Sequence, residues 1–554
     1  MSDVVNPFEA RLLEELEGQF PEREIRISLT GEGRAIGVRL GTKWFASALA
    51  ALSLAAGDAA FQVVLLESGD EPLPNPTTLD PSMAGGLFGQ RDAVGLISVS
   101  GASGSTRPVV QKALRVPSQA LLDERGDFHF IAPTSLKRRV VGSAYERVYS
   151  RAPILLDRWR QDRNSRGNVT QEMVARTALP LTTVSSDERE VATAPVAWFA
   201  LHWLESGGAE SWALESAQIA ADAGYRVLIT ADVPAPQRLL DRVAEITHDV
   251  FIPSNVLADD DWGKFLTALM ETYQPSVLHI HHSARAYSFL PELRHMYPDV
   301  TVLDSTHIVE HRTGGFVRQS IEMSPYIDLH HVISPELRDL YLLDARIEPS
   351  KVAYRPLTSS TDVETGTASP RADGPLRIGF LGRVAPQKRP FLFVELVRRL
   401  TRRHPGQFEY LMQGSGGLSA LTDAQIARQG LKDVIDRRPW GPIADFMDSV
   451  DVLVITSDNE GLTLTSLEAE EHGVLVLSAD VGSQRTVIAP DLLVPRAPKA
   501  FLKAAEAALV RLAGSRSAFD EARTAQSELI QALREIEPAS LFLSSKLQQL
   551  KEKN

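Results

Sequence analysis

Cysteine is absent from all 554 residues, which excludes disulfides, thiol nucleophiles, thiolate zinc sites and iron–sulfur clusters. Long apolar runs are also missing. The longest, "WFASALAALSLAAG" from Trp44, falls short of the roughly 20 residues that span a bilayer. Basic charge is in deficit: 58 Lys and Arg stand against 71 Asp and Glu, a net charge of -13. That balance argues against nucleic acid as a partner, because phosphate backbones bind basic faces. It leaves room for a local cationic pocket that takes one small anion. The first residues, "MSDVVNPFEARLLEELEG", are acidic and polar and carry no signal-peptide apolar core. The expected location is therefore the cytoplasm, with peripheral contact to a membrane or a protein partner still compatible.

What is present is the composition of a globular protein, 44% hydrophobic and 23% charged. The length is too great for one ordinary core. Two stretches rich in Pro, Ser, Thr and charge divide the chain, "PLTTVSSDEREVATAP" from Pro180 and "RPLTSSTDVETGTASPRADGP" from Arg355. Between and after them, strand and helix patterns alternate: "VAWFAL", "GGAESWALESAQIAADAG", "YRVLIT", "SVLHIHH", "VTVLDSTH" and "LHHVIS", then "LRIGFLG", "PFLFVELVRRLTRRH", "FEYLMQG", "DVLVITS" and "GVLVLSAD". Such alternation predicts parallel sheets covered by helices, with a ligand cleft at the carboxyl ends of the strands. The expected units are a mixed α/β accessory domain over 1–185, two doubly wound domains over 191–358 and 375–514, and a helical tail over 515–554 whose Lys/Glu-rich end frays. In the accessory domain, "EIRISLTGEGRAIGVRL" predicts a hairpin around Gly31-Glu32-Gly33, and "QALLDERGDFHFIAP" a second one. "FQVVLLES" and "VGLISVSG" predict strands. An oligomer contact through this domain is compatible with the pattern.

The chemistry-bearing residues cluster where strands end. In "GFLGRVAPQKRPFLFVELVRRL" a strand closes at Gly382, Arg383 and Lys388 follow on a loop, and a helix opens near Pro390. Two cations beside a helix N-terminus suit an anion; alone, the loop reads equally as a solvated basic turn. Gly207 and Gly208 follow a strand and precede a helix, letting backbone N–H groups approach a ligand without a Cβ in the way. They are not the G-x-G-x-x-G fingerprint, so a nicotinamide enzyme is not expected. Gly414, Gly416 and Gly417 form a similar loop that either caps a strand or touches a ligand. In "SDNEGLTLTSLEAEEHGVLVLSADVG", Glu460 sits on a turn and Glu468 on the helix after it. Two carboxylates facing one cleft from there can accept hydroxyl hydrogen bonds from two parts of one ligand. Glu470 and Glu471 read as a solvated helix face, and "ADDDW" as a solvated loop. His279 and His281 share a strand face, but no third zinc ligand is evident, so they read as satisfied or cleft-lining histidines.

Taken together, "GRVAPQKR", "SDNEGLTLTSLEAEEHGVLVLSADVGS", "GGAE" at Gly207–Glu210, "LDSTH" ending at His307 and "VISPELRDLY" from Val332 resemble family 4 retaining glycosyltransferases, over roughly residues 196–512. The resemblance implies a GT-B fold, two Rossmann-like domains facing a cleft. It implies transfer of a sugar from a nucleotide-sugar donor to an acceptor it does not identify, without metal or cofactor. Its carried-over roles are these. Arg383 and Lys388 bind the donor diphosphate, Glu460 contacts the transferred sugar, and Glu468 holds the ribose. Gly382, Gly461, Leu462 and Thr463 line the sugar or diphosphate, and Gly207 and Gly208 lie near the donor phosphates or acceptor. His307 lies near the reacting sugar, and Pro442 and Ile443, after Trp440-Gly441, lie where the base rests. Leu462 and Thr463 replace a common Phe-Gly, Leu475 a usual proline, and Thr486 a frequent glutamate. A 2-epimerase of the same fold and a non-catalytic scaffold are the alternatives.

Overall fold

The computed structural model describes residues 6–68, 92–117, 147–149, 151–166, 173–177, 194–205, 207–310, 313–358 and 374–553. The two dividing stretches and the segment of the second expected hairpin lie largely or wholly outside them. Among the described residues there are three sheets.

The first sheet is mixed: β1 (Ile25–Leu29), β3 (Ala93–Val99), β2 (Phe61–Glu67) and β4 (Val110–Val116), in that order. The outer pairing of β2 with β4 is parallel and the other two are antiparallel. The hairpin expected after β1 is not formed. Gly31–Leu40 is a helix, N-capped by Thr30, whose hydroxyl accepts from the Gly33 N–H. Its buried positions Gly33, Ile36 and Gly37 recur at three and four residues, a helical period that the flanking glycines obscure. A Cβ at Gly33 would overlap the Val94 carbonyl oxygen, so this helix lies directly on the neighbouring strand end.

The apolar run from Trp44 forms the helix Thr42–Ala56, of which ten residues are buried. A helix apolar all round needs cover on every side. Most of this one has it: the Trp44 indole donates to the Ala235 carbonyl (3.2 Å), and the Ile252 N–H donates to the Ser47 carbonyl (3.3 Å). The accessory region and the domain after it therefore share one continuous hydrophobic core. Among the described residues no helix is long and apolar enough to cross a membrane.

The second sheet is wholly parallel, β11-β10-β9-β8-β5-β6-β7, and comprises Val352–Tyr354, Leu329–Val332, Thr301–Thr306, Val277–His281, Val196–Leu201, Arg226–Ala231 and Val250–Phe251. The third is also parallel, β14-β13-β12-β15-β16-β17, and comprises Ile435–Arg438, Phe408–Gln413, Leu376–Leu381, Val452–Ile455, Leu475–Ala479 and Leu493–Val494. Strands buried on both faces explain the unbroken apolar runs of β5 and β15.

The Lys/Glu-rich stretch at the end is helical as far as Lys553. The helix Ala539–Lys553 returns to the second sheet's domain, buries Ala539, Leu543 and Leu547, and accepts the Tyr225 hydroxyl on the Leu547 carbonyl (2.9 Å). Lys551 Nζ donates to the Ala223 carbonyl at 2.9 Å. Its Lys/Glu content marks a solvated outer face of a docked helix, with the apolar positions turned inward.

Candidate functional site

The carboxyl ends of β12 and β15 carry two adjacent loops. The first holds Gly382, Arg383 and the short 3-10 turn Pro386–Lys388 before the helix Pro390–Arg403. The second runs from Thr456 to Thr463 before the helix Leu464–Glu471. Across them Lys388 Nζ donates to Glu460 Oε1 at 2.6 Å, with side-chain exposures of 25% and 8%. The loops are stitched further by Gln387, whose side-chain amide donates to the Asn459 carbonyl (2.8 Å), and by Asp458, whose N–H donates to the Gln387 carbonyl (2.8 Å).

Glycines allow this close assembly. Gly482 has φ +51°, and a Cβ there would overlap the Glu460 carbonyl oxygen. Gly482→Ala is therefore expected to cost about 3 kcal/mol, combining a left-handed backbone with an overpacked contact. A thermal melt checks it; an unchanged melting temperature would contradict the geometry. Gly414, with φ +134°, lies against the Gly382 carbonyl, and Gly416 against the Val384 backbone. Those two glycines serve loop-on-loop packing.

The opposite wall comes from the second sheet. A Cβ at Gly461 would overlap the His307 carbonyl oxygen, so the loop after β9 touches the Glu460–Gly461 turn. The Asn459 side-chain amide donates to the Val309 carbonyl (2.8 Å) across the same junction. Gly208, opening the helix Gly208–Asp222, faces Leu464 of the helix that carries Glu468. Glu210, in that helix's first turn, accepts from the Trp203 indole at 2.9 Å. Burial raises its carboxyl pKa, opposed in part by that indole and by the charge of Arg383.

Glu468 lies in the second turn of the helix Leu464–Glu471, and its Oε2 is buried without a hydrogen-bond partner. Burial raises its pKa, reinforced by Glu471 and opposed by His472. Thr463 and Leu462 are buried in the loop. The Thr463 hydroxyl meets the Ser466 hydroxyl (2.6 Å) and donates to Gln484 Oε1 (3.1 Å), while Gln484 Nε2 donates to the Gly461 carbonyl (3.1 Å). Gln484 fixes the glutamate loop, a role that sequence reasoning missed. Pro442 and Ile443 open a short helix beside β13, where Gln413 Nε2 donates to the Gly441 carbonyl at 3.2 Å. Trp440 and Ile443 keep over a third of their surface exposed.

His307 is buried, its Nε2 without a partner, and its ring meets His282 edge-on at 5.0 Å. Burial first, then neighbouring imidazoles, holds its pKa well below the usual value, so it is neutral. His282, at φ +60°, stacks on Phe316 at 4.9 Å. His279 and His281 are neither satisfied nor cleft-lining. They lie in the core against Phe199, with all four ring nitrogens unpartnered, and burial pushes His279 down to about 3.

Two expectations about acids are corrected. Glu470 is buried and accepts from Arg534 (2.8 Å) and Ser527 (2.9 Å); Arg534 also reaches Glu471 (3.3 Å), so these acids hold the helix Arg516–Arg534 in place. In "ADDDW", Asp259 and Asp260 are exposed, but Asp261 pairs with Lys112 of β4 and joins the accessory sheet to this domain.

Comparison with known proteins places this architecture. Residues 375–510 match the family described as glycosyl transferases group 1. A D-inositol 3-phosphate glycosyltransferase of Kineococcus radiotolerans is 32% identical over 177 residues, 28% of this chain and 39% of the relative. That of Streptosporangium roseum is 33% identical over 122 residues, 20% and 28% of the two chains. The chain thus spans well under half the length of the curated relatives it matches. A glycosyltransferase from Rickettsia africae superposes with a TM-score of 0.50 at 17% identity, covering 65% of this chain and 99% of the other. The fold is GT-B: two parallel-sheet α/β lobes facing a cleft, with an additional N-terminal α/β region.

Proposed function

We propose that the protein is a retaining glycosyltransferase that takes a sugar from a nucleoside-diphosphate donor without a metal ion. One observation carries the reading: Lys388 Nζ lies 2.6 Å from Glu460 Oε1 at the carboxyl end of a parallel sheet, with the unpartnered Glu468 Oε2 on the helix beyond. Cleavage of a sugar–phosphate bond leaves growing negative charge on the diphosphate and positive character on the sugar. In this reading Lys388 and Arg383 neutralise the first, as preorganised charges that need no rearrangement at the moment of reaction. Glu460 releases Lys388 to the diphosphate and accepts from the sugar hydroxyls. Glu468 offers its free oxygen to the ribose, since a buried acceptor without a donor is costly until one arrives. The exposed Trp440–Ile443 turn receives the base. His307, held neutral, borders the reacting sugar as a hydrogen-bonding group.

The similarity to D-inositol 3-phosphate glycosyltransferases makes that inositol phosphate one acceptor worth including. The test is a panel of nucleotide sugars, each with and without candidate acceptors, monitored for free nucleoside diphosphate. Acceptor-dependent release is the expected result. Conversion of a donor with no diphosphate released would replace transfer by epimerisation, and silence across the panel would leave a sugar-binding scaffold.

A further inference from the structure

Arg389 follows Lys388 and has a left-handed backbone, φ +47°, that non-glycine residues seldom adopt. It is also fully buried, at 0% exposure. Its guanidinium makes four hydrogen bonds from its five N–H donors. Nε donates to the Thr456 carbonyl (2.6 Å), Nη2 to the Ser457 carbonyl (3.0 Å), and Nη1 to the Arg496 carbonyl (2.9 Å) and to Asp157 Oδ2 (3.3 Å). The Thr456 hydroxyl returns a bond to the Lys388 carbonyl at 2.6 Å. The backbone on both sides of the Lys388–Glu460 pair thus hangs on one planar fork, which a lysine could not reproduce.

The carboxylate that closes this node comes from outside both lobes. Asp157 lies on the helix Pro153–Arg166 of the N-terminal region and is 3% exposed. Gln161, one turn on, donates to Asp157 (3.0 Å) and to Asp458 (3.3 Å) of the glutamate loop. The segment is anchored on either side. Tyr149 meets Phe391 edge-on at 5.9 Å, and Ile154 and Leu156 pack on the C-terminal lobe's core. Beyond it, the Arg176 N–H donates to the Glu322 carbonyl (3.0 Å) on the N-terminal lobe.

We propose that Asp157 is a positioning residue for the donor site: through Arg389 it holds Lys388 and Glu460 in register, so turnover depends on a side chain of the N-terminal region. The inference rests on the glycosyltransferase reading. Without Asp157, Asp458, already 3.9 Å from Arg389 Nη1, would be the remaining carboxylate and would be drawn closer, shifting the loop that carries Glu460 against Lys388.

The test uses full-length Asp157→Ala, Asp157→Asn, Lys388→Ala and the Asp157→Ala/Lys388→Ala double variant. Binding of UDP, GDP and ADP is measured by calorimetry, and kcat and KM with the donor found active. The expected result is an Asp157→Ala kcat about 10- to 100-fold lower with diphosphate affinity within about 3-fold of wild type, as for a misplaced catalytic group. That loss should shrink in the Lys388→Ala background, where only the Glu460 part of the effect remains, because residues acting as one unit are not additive. Wild-type kcat in Asp157→Ala, or a loss that multiplies fully with that of Lys388→Ala, overturns the proposal. Should Asp157→Ala not fold, the isosteric Asp157→Asn carries the test, and wild-type kcat there overturns it equally. Failure of the unaltered protein to bind any of the three diphosphates counts instead against the donor-site reading itself.

Discussion

Lys388→Ala is expected to lower kcat by at least about 100-fold, the scale on which removing one preorganised charge stabiliser acts. Lys388 is a quarter exposed and its ammonium group pairs with Glu460, so the substitution removes few packing interactions. The structural cost falls on Glu460, which is 8% exposed and would lose its cationic partner. Glu460→Gln therefore makes the better companion than Glu460→Ala: it keeps the shape, removes the charge, and relieves the buried carboxylate. It too is expected to lose at least about 100-fold in kcat, since an amide is a weaker acceptor for sugar hydroxyls than a carboxylate. Steady-state turnover with a thermal melt of each variant checks the pair. Wild-type rates in both, with melting unchanged, would remove these residues from the reaction.

The second large effect is acid lability of the N-terminal lobe. Five histidines are buried and neutral there: His279 is held at about 3, His282 and His331 at about 4, and His281 and His307 well below the usual range. Burial is the leading cause for each. The sign follows from linkage. In the unfolded chain these groups take up protons near pH 6.5, whereas folded they stay neutral, so their stabilising contribution is complete above that pH and lost as pH falls toward the folded values. Between pH 6.5 and 5.5 the loss is about 1 kcal/mol per histidine, roughly 5 kcal/mol for the set. Glu205, Glu210 and Glu215, whose carboxyls burial raises, work against it, and so does Asp232. Burial raises it to about 7, and protonation in the folded state returns about 1 kcal/mol over the same interval. The net loss, on the order of a few kcal/mol, is a large share of a typical domain's stability. Melting followed from pH 7.5 to 5.5 should fall by roughly 10 °C. His279→Phe, which replaces two unpartnered nitrogens with apolar surface beside Phe199, should flatten the dependence by one histidine's share. A melting temperature level across that range would show that these rings protonate freely in the folded chain.

Elements with strong local periodicity were legible in the sequence. Strands such as Val196–Leu201 and Val452–Ile455 lie where apolar runs predicted them, because strands inside a parallel sheet must be apolar on both faces. The order of motifs at strand ends pointed to one cleft for the same reason: parallel strands deliver all their carboxyl ends to one side. Where a signal was split between two readings, the sequence failed. Gly31-Glu32-Gly33 looked like a turn and is the first turn of a helix, since Thr30 caps it and Val94 leaves room only for glycine. Glu470 looked solvated, yet Arg534, sixty-four residues on, buries it.

By itself the sequence determined the alternation of strands and helices, the absence of thiol chemistry, and which cations and carboxylates sit at strand ends. These follow from local composition and period. Tertiary structure alone decided that Asp157 reaches Arg389 across 232 residues, that most of the run from Trp44 is buried, and that the last helix returns to the first lobe. The physical reason is that ion pairing and burial depend on which surfaces meet after folding, and no local pattern in a chain encodes the partner of a charge so far away.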